Sequence, residues 1–187
     1  MPKLDFKKTM KELYAPSKPG FKFVDVPAMQ YLMTDGAGDP NNSPQFVAAV
    51  SALYGIAYTT KFMISRKEPE KDYVVPPLEG LWWADDMSNF CALNKDEWKW
   101  TLMLMQPDYV TKTIFSEAVE ACIKKNKIAE SVSVRLEKFK EGKAAQTLFI
   151  GAYKDEGPVI AQMHDFIKTN DNKDSKPKSS KIKVKLL

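Results

Sequence analysis

Glu97-Trp-Lys-Trp-Thr-Leu-Met-Leu-Met-Gln-Pro107 reads as one β-strand. Successive strand side chains point to opposite faces, so Trp98, Trp100, Leu102 and Leu104 fall on one side and Lys99, Thr101, Met103 and Met105 on the other. Pro107 stops it, because proline has no N–H to give to a ladder. Downstream, Thr111 is placed to cap a helix running to about Lys125, with Ile114, Phe115, Ala118, Val119 and Cys122 as its apolar stripe. Lys124 and Lys125 suit the negative end of that helix. Val132 to Glu137 alternates cleanly as a strand, Glu141-Gly142 reads as a hairpin-like break, and Ala145 to Tyr153 as a second strand. Gly157-Pro158 opens a helix with Ile160, Met163, His164 and Ile167 on one face.

Upstream, Pro77-Leu-Glu-Gly-Leu-Trp-Trp-Ala-Asp-Asp86 predicts a proline-limited strand from Leu78 to Ala84 that carries Glu79, Trp82 and Trp83. Ser43-Pro44 is a helix entrance: a capping hydroxyl is followed by proline where its missing donor is harmless. That helix should reach about Ile64, with Phe46, Val50, Leu53 and Ala57 as its apolar face and Val47, Tyr54 and Tyr58 beside it. Phe21 to Asp35 reads as extended chain interrupted at Pro27, ended by the turn signals Gly36, Gly38 and Asp39-Pro40. Residues 1–20 read as a polar lead-in, with at most a short helical turn before the prolines at 16 and 19.

The bulk properties narrow the class. With 44% hydrophobic residues the chain can bury a core, and no run approaches 18 consecutive apolar residues, so neither a membrane span nor a membrane partner is expected. The N-terminus lacks a secretory pattern, which predicts a cytoplasmic protein. Of 28 basic and 24 acidic residues, six lysines and two aspartates lie in 171–187, so the rest balances at 22 of each. A neutral body has no phosphate-neutralising stripe, and no nucleic-acid partner is expected. Cys91 and Cys122 have neither disulfide-framework nor zinc spacing and should be reduced and packed; with the single histidine His164, the ligand inventory predicts no metal. Gly36-Ala-Gly38-Asp39 lacks the spacing and the lysine of a phosphate loop, and no cofactor is expected.

Chemistry concentrates around the paired indoles. Adjacent strand residues face opposite ways, so Trp82 and Trp83 cannot both enter one core, whereas Glu79 and Trp83 share a face. A cleft uniting Glu79, Trp82, Trp83, Trp98 and Trp100 would offer flat π surfaces and one charge to a planar or cationic molecule. Tyr31, Tyr54 and Tyr58 are secondary ligand-binding candidates, and Met29, Met33, Met103 and Met105 could form an adaptable wall. For each, packing is the default role. His164 has no nucleophile motif beside it and reads as a packed side chain.

Val24-Asp-Val-Pro-Ala-Met-Gln-Tyr-Leu-Met-Thr-Asp-Gly-Ala-Gly-Asp-Pro40, Glu79-Gly-Leu-Trp-Trp-Ala-Asp85, Trp98-Lys-Trp-Thr101, Met105-Gln-Pro107 and Glu156-Gly-Pro158, in that order, resemble the stand-alone GyrI-like small-molecule-binding proteins. The resemblance spans 21–168. It implies an α+β fold with a duplicated β-α-β-β module, an antiparallel sheet with helices on one face and a ligand cleft on the other. The first module would occupy about 21–107, a linker helix 111–126 and the second module 130–168. Residues 169–187 depart from the family: after the last helix it has a strand with a His-His-Glu-Ile-Tyr-like motif whose glutamate faces the cleft, and then a closing strand, and this lysine-rich tail has a counterpart of neither the glutamate nor the tyrosine. Lys181 to Leu187 alternates and could serve instead as an exposed edge strand.

The expected function is binding of small hydrophobic, aromatic or cationic molecules, as in multidrug recognition. Stand-alone members similar to this chain imply an alternative: a hydrolase that opens the cyclopropane ring of DNA-alkylating natural products for self-protection, with Glu79 as the catalytic candidate. A protein-interaction module presenting an exposed tryptophan face is a third reading.

Overall fold

The computed structural model describes residues 3–16, 20–86, 94–125, 128, 132–151, 155–171 and 182–185. Cys91 and tail residues 172–181 lie outside them. The helices are α1 (Phe6–Thr9), α2 (Lys11–Tyr14), α3 (Pro44–Lys67), α4 (Lys112–Lys124) and α5 (Gly157–Asp171). The strands are β1 (Lys22–Ala37), β2 (Glu79–Trp83), β3 (Lys99–Gln106), β4 (Arg135–Gln146) and β5 (Ile182–Lys185). They join in one sheet in the order β4-β1-β3-β2-β5. β1 with β3, β2 with β3 and β2 with β5 are antiparallel. The α+β class and antiparallel sheet are those read from the sequence, and within the tail segment expected to form an edge strand Ile182–Lys185 does so.

The chain divides into two compact units, one of residues 1–6, 29–139 and 181–187 and the other of 7–28 and 140–180. In the first, β1, α3, β2 and β3 follow in β-α-β-β order. Its core lies where the even-numbered strand residues Leu32, Trp82, Trp100, Leu102 and Leu104 meet Ala49, Leu53, Ile56 and Ala57 of α3 and Ala118 and Cys122 of α4. Ser43 Oγ accepts from the Phe46 N–H at 3.2 Å and Thr111 Oγ1 from the Ile114 N–H at 3.2 Å, so both helices begin at the expected caps. Cys122 is a free, buried thiol, and its Sγ lies 3.2 Å from Thr59 Oγ1, where α4 rests on α3.

Three expectations shift. The buried stripe of α3 runs through Ala49, Ala52, Leu53, Ile56, Ala57, Thr60 and Ile64, while Val47 and Tyr58 are exposed. The alanines let α3 approach its neighbours closely, turning the bulkier Phe46, Val50 and Tyr54 to its margins. β1 passes through Pro27 without a break; its pairing with β3 begins only at Gln30, so that edge asks nothing of the proline nitrogen. The lead-in is not wholly polar: Phe6, Leu13 and Tyr14 are buried.

α3 is long and apolar enough to cross a membrane by length and composition. Here it is a core helix, with Ala52, Leu53, Ile56 and Ala57 fully buried.

In the second unit, β4 continues through Gly142, whose φ of 74° absorbs the break without ending the strand. The segment 147–150 is not extended into a further strand. Phe166 of α5 packs on Phe21 and Phe23 with ring centroids 5.7 and 5.0 Å apart, and Ile160, Met163, His164 and Ile167 are half-buried as one face.

A polar network closes one end of the β1–β3 pair. Tyr73 donates to Gln106 Oε1 at 3.0 Å, and Gln30 Nε2 donates to the carbonyls of Pro107 and Val110 at 3.1 and 2.9 Å. Burial pushes the Tyr73 hydroxyl far up and that of Tyr109 up to about 12. Asp72 receives the buried Lys61 ammonium and that of Lys3 at 3.0 Å. Hydrogen bonding to Lys61 is the main reason its carboxyl lies below the ordinary range. A lowered folded-state value contributes stability that is complete above the unfolded carboxyl value and is lost as pH falls through the folded one. Asp72→Asn should therefore lower the thermal midpoint at neutral pH and flatten its decline on acidification. An unchanged acid limb in the variant would show that Asp72 has no such role.

Candidate functional site

The antiparallel register sorts the strand residues into two populations. Met33, Met103 and Glu79 face one another across β1, β3 and β2, and the same row reaches Lys185 of β5. Tyr31 pairs with Met105 to one side. To the other, Asp35, Thr101, Leu81 and Lys183 form a row, followed by Ala37, Lys99 and Trp83. Residues paired directly across strands share a face. Tyr31, Met33, Met103, Met105, Glu79, Leu81 and Trp83 therefore lie on the face opposite α3 and α4. All but Trp83 are buried, and Glu79 is 0% exposed. A carboxylate in such surroundings costs free energy unless a donor or counter-charge meets it.

The remaining tryptophans are elsewhere. Trp82 and Trp100 are buried on the helix side, and half-buried Trp98 packs against that core. Trp82 meets Trp98 edge-on at 5.9 Å, and Phe46 lies 6.0 Å from Trp82 and 5.3 Å from Trp100. Two glycines make this cluster fit. The Trp100 ring occupies the volume that a Cβ on Gly36 would need, and a Cβ on Gly80 would lie 2.7 Å from Trp82 Nε1. Gly36 and Trp100 are register partners, so the indole folds down over the neighbouring strand.

Tyr54 and Tyr58 also stand apart from Glu79. They form a ladder along α3 with Phe62, with centroids 6.3 and 6.4 Å apart, and Tyr58 and Phe62 are exposed. Of the eight predicted ligand residues, the sheet thus unites Glu79, Trp83 and Tyr31 on one face. It places Trp82, Trp98 and Trp100 on the other and Tyr54 and Tyr58 on a helix. The methionine wall of Met33, Met103 and Met105 joins the Glu79 group.

One part of this face had no counterpart in the sequence reading. Asp35 accepts from Thr101 Oγ1 at 2.6 Å and from Arg135 Nη1 and Nη2 at 2.7 and 3.2 Å. Arg135 also donates to Glu137 Oε2 at 2.8 Å, and beyond Trp83 the Lys99 ammonium meets Asp85 at 2.7 Å. These groups give the face a polar border beside its methionine centre. Asp35 and Arg135 are too distant in sequence for any local pattern to join them. Among the described residues, no group of three or more His, Cys, Asp or Glu side chains is placed to hold a metal ion.

These features define an α+β protein whose antiparallel sheet carries helices on one face and, on the other, a buried carboxylate among methionine and aromatic side chains. No protein-family model matches the sequence, and no curated protein matches it. Solved structures do. A hydrolase from Listeria innocua is 36% identical, with 99% of this chain and 94% of that one covered and a TM-score of 0.80. A second Listeria innocua hydrolase is 34% identical over 97% of both chains, with a TM-score of 0.76. An uncharacterized conserved protein from the same organism is 35% identical over 99% of both, with a TM-score of 0.78. The chain belongs to the family of these Listeria innocua proteins.

The fit of Trp100 over Gly36 can be tested. Gly36→Ala forces the ring off its seat and should cost about 1–3 kcal/mol, lowering the thermal midpoint by roughly 2–12 °C. Gly157→Ala, at a site with open space, is the control and should leave it nearly unchanged. Equal midpoints for the two variants would rule out the packing role of Gly36.

Proposed function

We infer that this chain is a GyrI-like small-molecule binder of the cytoplasm, taking a small, flat, apolar or cationic guest against the sheet face that carries Glu79. The observation that carries this reading is Glu79 itself, fully buried among Tyr31, Met33, Met103 and Met105. A purely structural sheet face gains little from a carboxylate, because a hydrophobic residue of similar volume serves as well or better. A binding face uses a few placed polar groups to orient an otherwise apolar contact. Methionine adapts to varied shapes, which suits recognition of more than one guest. Trp83 and Tyr31 supply the flat surfaces, and Asp35, Thr101 and Arg135 the polar rim.

Because Trp83 is the one indole on this face, it should report binding. A neutral flat dye should quench tryptophan fluorescence saturably, and Trp83→Phe should remove most of that response while leaving emission from Trp82, Trp98 and Trp100. A titration without saturation would count against the reading, as would quenching that survives Trp83→Phe unchanged.

The names of two similar structures favour a second reading, hydrolysis. On a cyclopropane-bearing alkylator, water would attack a ring carbon with Glu79 accepting its proton. The ring C–C bond breaks, and a proton goes to the group that receives the bonding pair. Mass spectrometry should then find substrate plus one water. Glu79→Gln should lower turnover by about 10²–10⁴-fold with a smaller effect on binding. Absence of hydrated product with bound alkylator would leave binding as the function.

A further inference from the structure

We propose that the exposed face of α3 is a self-association surface, on which the α3 of a second copy of this chain lies antiparallel. The inference is independent of the binding reading of the Glu79 face.

From Pro44 to Thr60 the helix carries no charged residue. A helix that turns one face to water normally carries charged side chains there. On α3 that face is Val47, Ser51, Tyr54, Gly55, Tyr58 and Phe62, which share about 100° of arc at the helical period. Val47, Tyr58 and Phe62 are 63%, 47% and 51% exposed, Ser51 is exposed, and Tyr54 and Gly55 are half-buried. The rings are ordered against one another, with interplanar angles of 27° for Tyr54 on Tyr58 and 26° for Tyr58 on Phe62. The Lys61 ammonium, paired with Asp72, lies 5.6 Å from the Phe62 centroid. A ridge of rings already stacked loses little side-chain entropy when a partner covers it.

The pattern is complementary to itself. Tyr54, Tyr58 and Phe62 form one i+4 ridge, and Val47, Ser51 and Gly55 form the ridge of smaller side chains beside it. A two-fold axis midway between residues 54 and 55 sets each ring against a smaller residue of the other copy: Phe62 against Val47, Tyr58 against Ser51 and Tyr54 against Gly55. Every contact then occurs twice, as an isologous interface requires. A parallel arrangement would set ring on ring and small on small. The ends agree with the antiparallel one. The same axis turns the basic last turn of α3, with exposed Arg66 and Lys67, toward the turn that precedes α3 in the other copy, where the Asp39 carboxylate accepts from Asn41 and Asn42. Opposite charges therefore face each other at both ends of an uncharged stripe, and the two helix dipoles run in opposite directions. From Val47 to Phe62 the stripe is about 22 Å long on a helix about 10 Å wide, so the contact buries on the order of 500–800 Å² in all. That is below the roughly 1,200 Å² of a standard stable interface, and the dimer is accordingly weak and reversible.

Sedimentation velocity of the full-length chain from about 1 µM to about 1 mM tests this, and should show a monomer–dimer equilibrium with a Kd of roughly 10–100 µM. Tyr58→Glu and Ser51→Lys each put a charge into the apolar contact and should weaken association at least about tenfold. Gln45→Glu adds a charge on the same helix outside the stripe and should leave Kd within about twofold of wild type. Circular dichroism far below Kd should show unaltered helix content, and Ser51, which is exposed and no part of the ring ladder, keeps the test valid if Tyr58→Glu disturbs the fold. Mixing Ser51→Lys with Tyr58→Glu sets lysine against glutamate in the heterodimer and should restore association to within about threefold of wild type. A chain that stays monomeric to about 1 mM would overturn the proposal. So would a dimer that both disrupting variants leave intact, or a mixture that associates no better than its components. Monomeric protein taken up by phosphatidylcholine vesicles, with uptake lost in Tyr58→Glu and Ser51→Lys, would assign the face to a lipid surface and overturn it as well.

Discussion

The hydrogen-bonded register of β1, β3 and β2 is the constraint on which the other features depend. Eight paired positions between β1 and β3 and five between β2 and β3 fix the face on which every strand side chain falls. A slip of one residue would exchange the two populations, moving Leu102 and Trp100 away from the helices and Met103 into their place. The register is protected from both sides. On the helix side, Trp100 fits only over Gly36 and Trp82 only beside Gly80. On the other, the Asp35–Thr101–Arg135 cluster ties β1, β3 and β4 together at matching positions. The Glu79 face is in this sense the complement of the core: its composition follows once the indoles are seated.

Much of this was legible in the chain. The alternation from Trp98 to Gln106 gives both faces of β3 without ambiguity, since Lys99 and Thr101 mark one side and the tryptophans the other. The spacing of Glu79 and Trp83 places them together, as the register does. The grouping of all four tryptophans into one cleft did not follow from periodicity, and it required Trp98 and Trp100 to share a face with Glu79. The pairing Gly80 to Leu102 and Glu79 to Met103 places them on opposite faces. Strand order and register are tertiary facts, which no local pattern encodes. For the same reason the Asp35–Arg135 pair was out of reach. The rotation of α3 has a different origin: alanine, valine and tyrosine all read as apolar, and only packing reveals that the small residues face inward.

Family membership and site geometry bear on one another. Two relatives are called hydrolases, and the face carries a buried carboxylate with a hydroxyl-bearing border. Binding and hydrolysis would draw on the same physical arrangement, a flat apolar platform that positions a guest near a placed charge. What separates the two is whether a water molecule can be held in line between guest and carboxylate.

The pairing of β1 with β3 joins residues separated by all of α3 and β2, from Gln30 with Gln106 to Ala37 with Lys99. Loop closure over such a span is slow relative to local helix formation. α3 therefore forms as a nascent element before the surface it rests on exists, and during that interval Leu53, Ile56 and Ile64 have nothing to cover them. A helix this apolar is in that interval a competitor for lipid surfaces and for other unfinished chains.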